Sequence, residues 1–377
     1  MRVKLEEVCK RIYAGGDVPK DRYSLEKTKE YSVPIFANAE KDEGLYGYTD
    51  EAREKELSIT VAARGTIGYT AIRREPFLPV VRLITVVPDL NKVSERYLYY
   101  VLRNCKPQSS GTSIPQLTVP DIKKNSLLLY DIEEQEKVAD KLDSILKIIE
   151  LRKSELQKLD ELIKARFVEL FGDPQINPMG WDVVNISEVV GGKVSNGFFA
   201  KRDDYTDDGN VEVLGVANIV NRMYSQIVEL PRTNANDKDI EKFEVKYGDM
   251  LFCRSSLVAE GIGKASIIPE GVQKNVLFEC HVIRLPLDLD KCVPEFMQTL
   301  STMDYFRNQV VAQSKTATMT TIGQDGILKT DIILPPIEKQ KEFYDFIKQV
   351  DKSKVVVQKS LDETQLLFDS LMQEYFG

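Results

Sequence analysis

Residues 121–172 decide the fold. They read DIKKNSLLLYDIEEQEKVADKLDSILKIIELRKSELQKLDELIKARFVELFG, and residues 326–377 align with them without a gap as GILKTDIILPPIEKQKEFYDFIKQVDKSKVVVQKSLDETQLLFDSLMQEYFG. The offset of 205 brings identical residues into register, among them Ile132/Ile337, Gln135/Gln340 and Phe171/Phe376. A period this long exceeds that of a solenoid repeat, so the sequence indicates a duplicated module.

Each copy predicts one long helix. Apolar residues recur at spacings of three and four, and neither glycine nor proline interrupts residues 132–171 or 337–376. At about 1.5 Å per residue each helix would be roughly 60 Å long. Because such a helix outruns a compact domain, we expect the two helices to pair as a coiled coil; the alternative is two amphipathic helices, each packed on its own domain. The expected seam consists of Leu142, Ile145, Ile149, Leu156, Leu159, Ile163, Ile347, Val350, Val357, Leu361, Phe368 and Leu371, with Arg152 and Lys354 as polar residues within it.

Stop signals divide the chain. The first long helix should end at Gly172, a glycine placed just past the helix, because Asp173-Pro174 and Asn177-Pro178 prevent its continuation. A second globular segment then begins at Trp181. The predicted organisation is a globular segment at 1–131, a long helix at 132–172, a second globular segment at 173–336 and a second long helix at 337–377.

Both globular segments have the pattern of mixed α and β structure. Short apolar runs predict strands at Leu57–Ala63, Val80–Val87, Met250–Cys253 and Phe278–Leu285, and a short helix follows in each segment, at Ser94–Arg103 and Pro294–Arg307. In each segment a loop that begins with arginine follows an apolar run. Each segment also reaches a Ser/Thr/Gln-rich stretch before the repeat, GTSIPQLTVPDI at 111–122 and TATMTTIGQDGI at 316–327. The remaining sequence diverges, which suits a molecule that reads two different things at a fixed separation.

The bulk composition excludes several classes of protein. No apolar stretch approaches the roughly 18 residues of a membrane helix, and the N-terminus MRVKLEEVCK lacks the apolar core of a secretion signal. Five scattered cysteines without a CxxC pair fit reduced thiols in a cytoplasm better than a disulfide framework or a zinc site. The net charge is −8, and it is distributed as +3, −2, −7 and −2 over residues 1–131, 132–171, 172–336 and 337–377. This acidity argues against binding nucleic acid by bulk charge alone.

Sequence motifs of catalysis are incomplete. Leu334-Pro335-Pro336-Ile337 lacks the polar first residue and the aromatic residue of a base-methylating loop, and EGIGKAS lacks the upstream glycine and the following hydroxyl of a phosphate-binding loop. His281 lies in an apolar run, and we expect it to be a packed core residue and not a general base. We therefore expect a chain that binds and does not catalyse, without catalytic or metal-ligating residues; divergent enzymatic chemistry in the second globular segment is the alternative.

The combination of motifs resembles the specificity subunit of type I restriction-modification enzymes. The likeness is carried by the linker FGDPQINPMGW (171–181), the helix entry LPPIEKQ (334–340), and the stretches RGTIG (64–68) and GTSIPQLT (111–118), in an order that covers the whole chain. Two features depart from the family pattern. The first helix is entered through LLLYDIEEQ in place of the LPP form, and the chain is somewhat shorter than many members.

The resemblance implies an α+β fold with two mixed α/β target-recognition domains, separated by two long antiparallel helices in a coiled coil and related by a pseudo-two-fold axis. Each domain would read one half of a split double-stranded DNA target, and the helices would set the number of unread base pairs between the halves. The family also implies docking of two modification (methyltransferase) subunits, which hold the S-adenosylmethionine, and through them of ATP-dependent restriction subunits. This chain itself would carry no cofactor.

Candidate DNA contacts follow from general rules of recognition. Lys, Arg and small polar groups contact phosphates, whereas Arg reads guanine and Asn or Gln reads adenine. Arg64 and Arg254 are favoured because each comes after a predicted strand and begins a loop that bears glycine or serine. The full set is Lys20, Arg22, Tyr23, Arg64 and Arg73 in the first domain, and Lys193, Asn196, Lys201, Arg202, Arg254, Lys264 and Lys315 in the second.

Two further expectations concern the isolated chain. The −7 of the second globular segment predicts that the chain alone binds DNA weakly and with a strong dependence on salt. A rival reading is a protein scaffold, in which the coiled coil brings proteins together and the globular segments bind peptides. A bipartite methyl mark on DNA separates the two readings, because a scaffold leaves none.

Overall fold

The computed structural model describes residues 1–105, 116–316 and 319–377. It divides into two compact units: the first unit is Met1–Ser154 with Gln358–Gly377, and the second unit is Glu155–Val357. The boundary crosses both long helices, so each unit contains the first part of one helix and the last part of the other. Within the two Ser/Thr/Gln-rich stretches, residues 111–115 and 317–318 lie outside the described residues.

The first unit is organised around a four-stranded antiparallel sheet. In chain order its elements are β1 (Arg2–Lys4), β2 (Cys9–Ala14), β3 (Val33–Phe36), β4 (Leu45–Thr49), β5 (Ser58–Val61), β6 (Thr70–Arg73), β7 (Leu78–Pro79), β8 (Ile84–Pro88), α1 (Glu95–Arg103), α2 (Val119–Lys124), β9 (Ser126–Leu128) and the start of α3 (Ile132–Phe171). The main sheet has the order β2-β8-β5-β6, and a smaller sheet has the order β4-β3-β7. Strand β1 pairs with β9, which fastens the N-terminus to the strand that precedes α3.

The second unit repeats this plan with additions. Its elements after α3 are β10 (Asp182–Asn185), β11 (Ser195–Asn196), β12 (Val211–Leu214), β13 (Arg232–Thr233), α4 (Asp237–Phe243), β14 (Asp249–Cys253), β15 (Ser255–Ser256), β16 (Ala265–Ile267), β17 (Val276–Phe278), β18 (Val282–Pro286), α5 (Pro294–Ser301), α6 (Asp304–Ala312), β19 (Lys315–Thr316), β20 (Thr320–Thr321), α7 (Gln324–Leu328), β21 (Asp331–Leu334) and the start of α8 (Ile337–Phe376). The order β11-β18-β14-β16 corresponds to β2-β8-β5-β6, and β10 pairs with β21 as β1 pairs with β9. The other sheets have the orders β13-β12-β17 and β15-β20-β19.

Two of the predicted elements are divided in the structure. The apolar run Phe278–Leu285 was expected to be one strand, but it is split between β17 and β18, which belong to different sheets, by a turn at Glu279–His281. The expected helix Pro294–Arg307 is two helices, α5 and α6. The expected strand Val80–Val87 begins only at Ile84, because Val81 and Arg82 adopt left-handed backbone conformations with φ of 51° and 61°.

The long helices pack against each other within each unit. In the second unit Arg166 pairs with Glu342, and Asp160 pairs with Lys354. Residue numbers therefore fall along one helix as they rise along the other, so the two helices run antiparallel there. All of the predicted seam residues are buried except Leu156 and Leu159, which are half-buried together with the polar residues Arg152 and Lys354. Within the described parts of the chain, no helix has an apolar stretch long enough to cross a membrane.

A buried glutamine joins each long helix to its own globular part. In the first unit the Gln135 carbonyl accepts from the backbone N–H of Ser94 at 2.8 Å, and its amide donates to the carbonyls of Lys92 and Tyr130. Gln340 makes the corresponding three bonds in the second unit, beginning with Val293 N–H at 2.9 Å. Both side chains are fully buried. This shared role gives a physical reason for the identity at the two repeat positions, since a buried amide requires all of its partners.

An aromatic cluster closes the second unit where α3 ends. Phe167 and Phe171 of α3 contact each other at a ring-centroid distance of 4.9 Å, and they contact Phe296 of α5 and Phe343 of α8 at 5.0–5.7 Å. Leu170, which lies between them on the helix, is only half-buried, because the helix turns Phe167 and Phe171 toward α5.

The linker after α3 is fixed by its glycine and its tryptophan. Gly172 has φ of +79°, and a Cβ atom there would overlap the ring of Pro178. The indole Nε1 of Trp181 donates to the carbonyl of Phe171 at 3.0 Å, which satisfies one of the free carbonyls at the helix end. The FGDP…NPMGW pattern therefore ends helix α3 through local contacts.

Glu295 of α5 is a buried acid among other acids. Glu295 is 1% exposed. Its Oε1 accepts from the hydroxyl of Tyr224 at 3.4 Å, and its Oε2 has no hydrogen-bond partner among the described residues. Burial, reinforced by the nearby carboxylates of Glu270 and Asp351, raises the pKa of Glu295 to about 7. The neutral acid is therefore the form that the fold prefers.

This shift predicts that stability falls as pH rises. The folded protein binds the Glu295 proton more tightly than the unfolded chain, so the stabilisation is fully present below the unfolded pKa of 4.5 and is lost through pH 7. Glu295→Gln should leave stability nearly unchanged at pH 5 and raise it by about 1–3 kcal/mol at pH 8. Urea unfolding at both pH values measures this, with Glu241→Gln on the exposed face of α4 as the control. Equal effects of the two substitutions at pH 8 would contradict the prediction.

Candidate DNA interface

In the second unit, four strands of the main sheet present one common edge. Arg254 follows β14, His281 precedes β18, and the backbone N–H of Arg254 donates to the His281 carbonyl at 2.8 Å. On the other side, Cys253 N–H donates to the carbonyl of Lys264, which precedes β16, also at 2.8 Å. Asn196 ends β11, and the next residue, Gly197, bonds to Val282. Antiparallel pairing thus brings Asn196, Arg254 and Lys264 to the same end of the sheet.

A short ribbon extends this edge. Strand β15 pairs with β20, which pairs with β19, and the backbone N–H of Ile322 donates to the carbonyl of Arg254 at 3.0 Å. The ribbon carries the exposed side chain of Lys315 and joins the arginine loop to the Ser/Thr-rich stretch. Two features that the sequence showed separately therefore form one structure.

Arg254 and His281 are the central side chains of the edge. The Arg254 guanidinium is half-buried and donates through Nη1 to the carbonyl of Cys280 at 3.1 Å. His281 was expected in the core, but it is exposed, with Nδ1 3.2 Å from the Ser255 hydroxyl. The prediction failed because the apolar run that contains His281 is broken by the turn before β18. An exposed histidine at this edge is a candidate that sequence reasoning missed.

The remaining candidates of the second domain lie close to β11 in the sequence. Lys193 lies before β11 and is exposed, and the side-chain oxygen Oδ1 of Asn196 lies 3.2 Å from the side-chain amide of Gln324. Lys201 and Arg202 are exposed in an acidic turn, where the backbone N–H of Lys201 donates to Asp204 at 2.8 Å. They follow β11 closely in the sequence, but among the described residues neither shares a contact with Arg254.

The first unit builds the corresponding edge. Leu117 N–H donates to the carbonyl of Ala63 at 3.0 Å, as Ile322 does to Arg254. The exposed guanidinium of Arg64 donates through Nε to the side-chain carbonyl of Gln116 at 2.8 Å. Asn38 fastens the loop, since its Oδ1 accepts from Ala63 N–H at 2.8 Å and its amide donates to the carbonyl of Val81.

Arg82 was missed by sequence reasoning. It is exposed and lies immediately before Leu83, whose carbonyl accepts from Gly15 N–H at 2.8 Å beside the same edge. Its left-handed backbone, at φ of 61°, is unusual for a residue other than glycine, and such conformations concentrate at binding and switch sites. Nothing in the local sequence distinguishes it from a strand residue of the run Val80–Val87.

The structure argues against the prediction that Arg73 contacts DNA. Arg73 is 6% exposed, its guanidinium carbon lies 3.6 Å from the Phe36 ring centroid, and its Nε donates to the Thr60 hydroxyl at 3.2 Å. It ends β6, but it pairs with Ser58 at the opposite end of the sheet from Val61 and Arg64. Burial lowers the pKa of Arg73, and Glu43 provides a partial counter-charge at 3.3 Å.

Lys20, Arg22 and Tyr23 belong to a different surface of the first unit. Their segment is bonded to β4 through Ser24 and Tyr48, beside the smaller sheet. Arg22 donates to Asp50 at 3.0 Å, and this carboxylate holds the pKa of the guanidinium above its usual value. Lys20 is exposed, and the Tyr23 ring lies 6.0 Å from that of Tyr46. The structure does not bring these three residues to the edge that carries Arg64.

Comparison with known proteins agrees with this architecture. The family model of the type I restriction modification DNA specificity domain matches residues 1–161 and 178–363. The chain is 34% identical over 169 residues to a protein of Mycoplasma pneumoniae named as a type I specificity subunit, covering 42% of this chain and 46% of that protein. The match to the MjaIX specificity subunit of Methanocaldococcus jannaschii is 21% identical and covers 96% of this chain and 86% of that one. The chain spans about half the length of the first Mycoplasma pneumoniae relatives that it matches.

Solved structures show the same fold. The S subunit of a type I restriction-modification system from M. genitalium superposes with a TM-score of 0.52 at 12% identity, over 100% of this chain and 96% of that one. A chain from a type I system, described in connection with its complex assembly and conformational transition, gives 0.55 at 15% identity, over 100% and 97%. Since the family model covers most of the chain in two matches, the chain belongs to the type I restriction modification DNA specificity domain family.

Proposed function

We propose that this chain is the DNA-reading specificity subunit of a type I restriction-modification complex and that it recognises a bipartite target. The observation that carries the proposal is the repeated edge: both units build the same strand ends and the same bond from the Ser/Thr/Gln stretch, Leu117 to Ala63 and Ile322 to Arg254. The side chains on the two edges differ. Two edges with the same backbone arrangement but different polar side chains are suited to reading two different half-sites.

The chemistry of each edge fits base recognition. An arginine presents two parallel N–H donors to the O6 and N7 atoms of guanine, whereas an amide side chain donates to N7 of adenine and accepts from its N6 amino group. Arg64 and Gln116 lie together in the first unit, and Arg254 lies beside Ser255 and His281 in the second. Exposed lysines such as Lys315 supply contacts to phosphate, which position the protein without reading sequence.

The long helices supply the docking surface for partners in this proposal. They expose large apolar side chains away from their seam, as a contact surface for another protein would. In the described part of the chain they include Ile148, Leu151, Leu162, Val168, Val355, Val356, Leu366 and Leu367. We propose that two modification subunits bind here, that they hold the S-adenosylmethionine, that restriction subunits attach through them, and that the complex acts in the cytoplasm.

Methylation mapping tests the function. Long-read sequencing of the source genome, with and without this gene, should show a bipartite methylated motif that disappears on deletion and returns with the gene in trans. A scaffold with peptide-binding domains, the rival reading, predicts an unchanged methylome. Survival of every methylated motif after deletion would reject the proposed function.

Replacing the two edge arginines should separate the half-sites. Arg254→Ala should relax the half read by the second domain and leave the other half intact, and Arg64→Ala should do the reverse. Loss of one bidentate contact costs about 1–3 kcal/mol of discrimination, or roughly 5- to 150-fold. Competition binding with the co-purified modification subunits and single-base variants of the target measures this. Each variant is the control for the other, and a uniform loss at both half-sites would contradict base reading.

A further inference from the structure

A cavity of about 390 Å³ in the second unit is lined by basic side chains. It lies where the last turns of α3 face the start of β16 and the helices α5 and α6. Its walls include Lys164, Arg222, Lys264 and Arg307, together with the hydroxyl-bearing residues Thr299 and Ser301. We call it the basic cavity. Three of these four cations, all except Lys164, belong to residues 172–336, a segment whose net charge is −7.

The cations of the basic cavity are not neutralised by the protein. Lys264 donates to the side-chain carbonyl of Asn221 at 2.7 Å, and Arg222 donates to the backbone carbonyl of Val220. Arg307 donates to the carbonyls of Ile262 and Glu260. In the described residues none of the four has a carboxylate within ion-pair distance, and the acid in the wall, Asp160, is paired with Lys354.

Arg307 adds a half-buried cation to the cavity wall. Its Nη2 atom is held by the carbonyl of Ile262 at 2.6 Å, which fixes the plane of the guanidinium. Its Nη1 atom is buried and has no hydrogen-bond partner in the part of the chain that the structure describes. Buried donors without acceptors are rare and costly. The protein therefore leaves the Arg307 charge beside the cavity without a carboxylate and without a full set of acceptors, and this positive charge attracts an anion to the cavity.

We propose that the basic cavity binds one backbone phosphate of the DNA that lies on the second domain. This inference rests on the proposed function. Lys264 belongs to both the recognition edge and the cavity wall, so DNA at the edge brings a phosphate next to the cavity. The contact would anchor the duplex without reading sequence. The cavity would also explain how an acidic domain can bind DNA, because its positive charge is concentrated next to the phosphate.

The first unit contains a counterpart with different chemistry. Its cavity of about 780 Å³ lies between the loop that precedes β6 and the helix α1, and its walls include Tyr69, Tyr99, Arg103 and Glu40. Among the described residues, the wall of this cavity has one cation offset by one carboxylate, so it offers no excess positive charge for the single negative charge of a backbone phosphate. We therefore assign the phosphate anchor to the second domain.

The test uses the chain co-purified with its modification subunits. The variant Lys164→Gln/Arg222→Gln removes two cations of the wall that form no ion pair, and Lys158→Gln, on an exposed position of α3 outside the cavity, is the matched control. The double variant should lower DNA affinity roughly five- to tenfold for all sequences alike and reduce the slope of log K against log salt by about 1. The recognised motif should not change. Thermal unfolding verifies that both variants fold.

Two results would overturn the inference and leave the proposed function standing. One is a double variant whose affinity and salt slope equal those of Lys158→Gln. The other is a cavity that takes up inorganic phosphate in the absence of DNA, as measured by calorimetry, with the double variant abolishing this uptake but leaving the DNA salt slope unchanged. That outcome would identify a site for a free anion. A complex that binds no bipartite DNA at all would instead reject the proposed function.

Discussion

Phe167→Ala should destabilise the second unit by about 3–5 kcal/mol, the largest loss of stability that we expect from one substitution. Phe167 is fully buried and contacts Phe171, Phe296 and Phe343, with ring-centroid distances of 4.9–5.5 Å. Its ring therefore joins α3, α5 and α8 at one point. Removing it leaves a cavity that three helices must collapse together to fill, and each helix is fixed elsewhere by its own contacts.

Urea unfolding measures the loss, and hydrogen exchange identifies the region that opens. Val168→Ala is the matched control, because Val168 is the next residue of the same helix and is 45% exposed. The control should change stability by no more than about 0.5 kcal/mol. Exchange should accelerate in α5 and in residues 337–357 of α8. Equal losses from Phe167→Ala and Val168→Ala would show that the aromatic cluster is not a packing centre.

Inserting four residues into each long helix should change the DNA target itself. We place the insertions after Ser154 and after Val357, at the boundary between the two units on each helix. Four helical residues add about 6 Å, which corresponds to roughly two base pairs at about 3.4 Å each. If the helices set the separation of two reading domains, the spacer of the methylated motif should lengthen while both half-sites keep their sequence. Methylation mapping of cells that carry the variant reads the spacer directly.

The insertion experiment has an internal control. An insertion into α3 alone shifts one side of the seam against the other, so we expect a loss of stability and of methylation without a new spacer. The matched pair of insertions avoids that mismatch. A changed half-site with a constant spacer would reject the idea that the helices act as a ruler.

The sequence by itself determined the helices and their ends. The uninterrupted stretches 132–171 and 337–376 correspond to α3, Ile132–Phe171, and α8, Ile337–Phe376. Helix formation and helix stopping depend on neighbours within a few residues, so spacing, the absence of glycine and proline, and the Gly172 stop carry the information locally. The duplication was visible for the same reason, because it requires only a comparison of the chain with itself.

Only the tertiary structure decided which side chains meet. Arg73 and Arg254 both stand at the end of a short apolar run, yet the sheet order buries the first and brings the second to an open edge. His281 is exposed because a turn divides its apolar run between two sheets. The basic cavity combines Lys164, Arg222 and Arg307 from distant parts of the chain. Such contacts depend on strand order and on long-range packing, and the local physics that forms a helix contains no information about either.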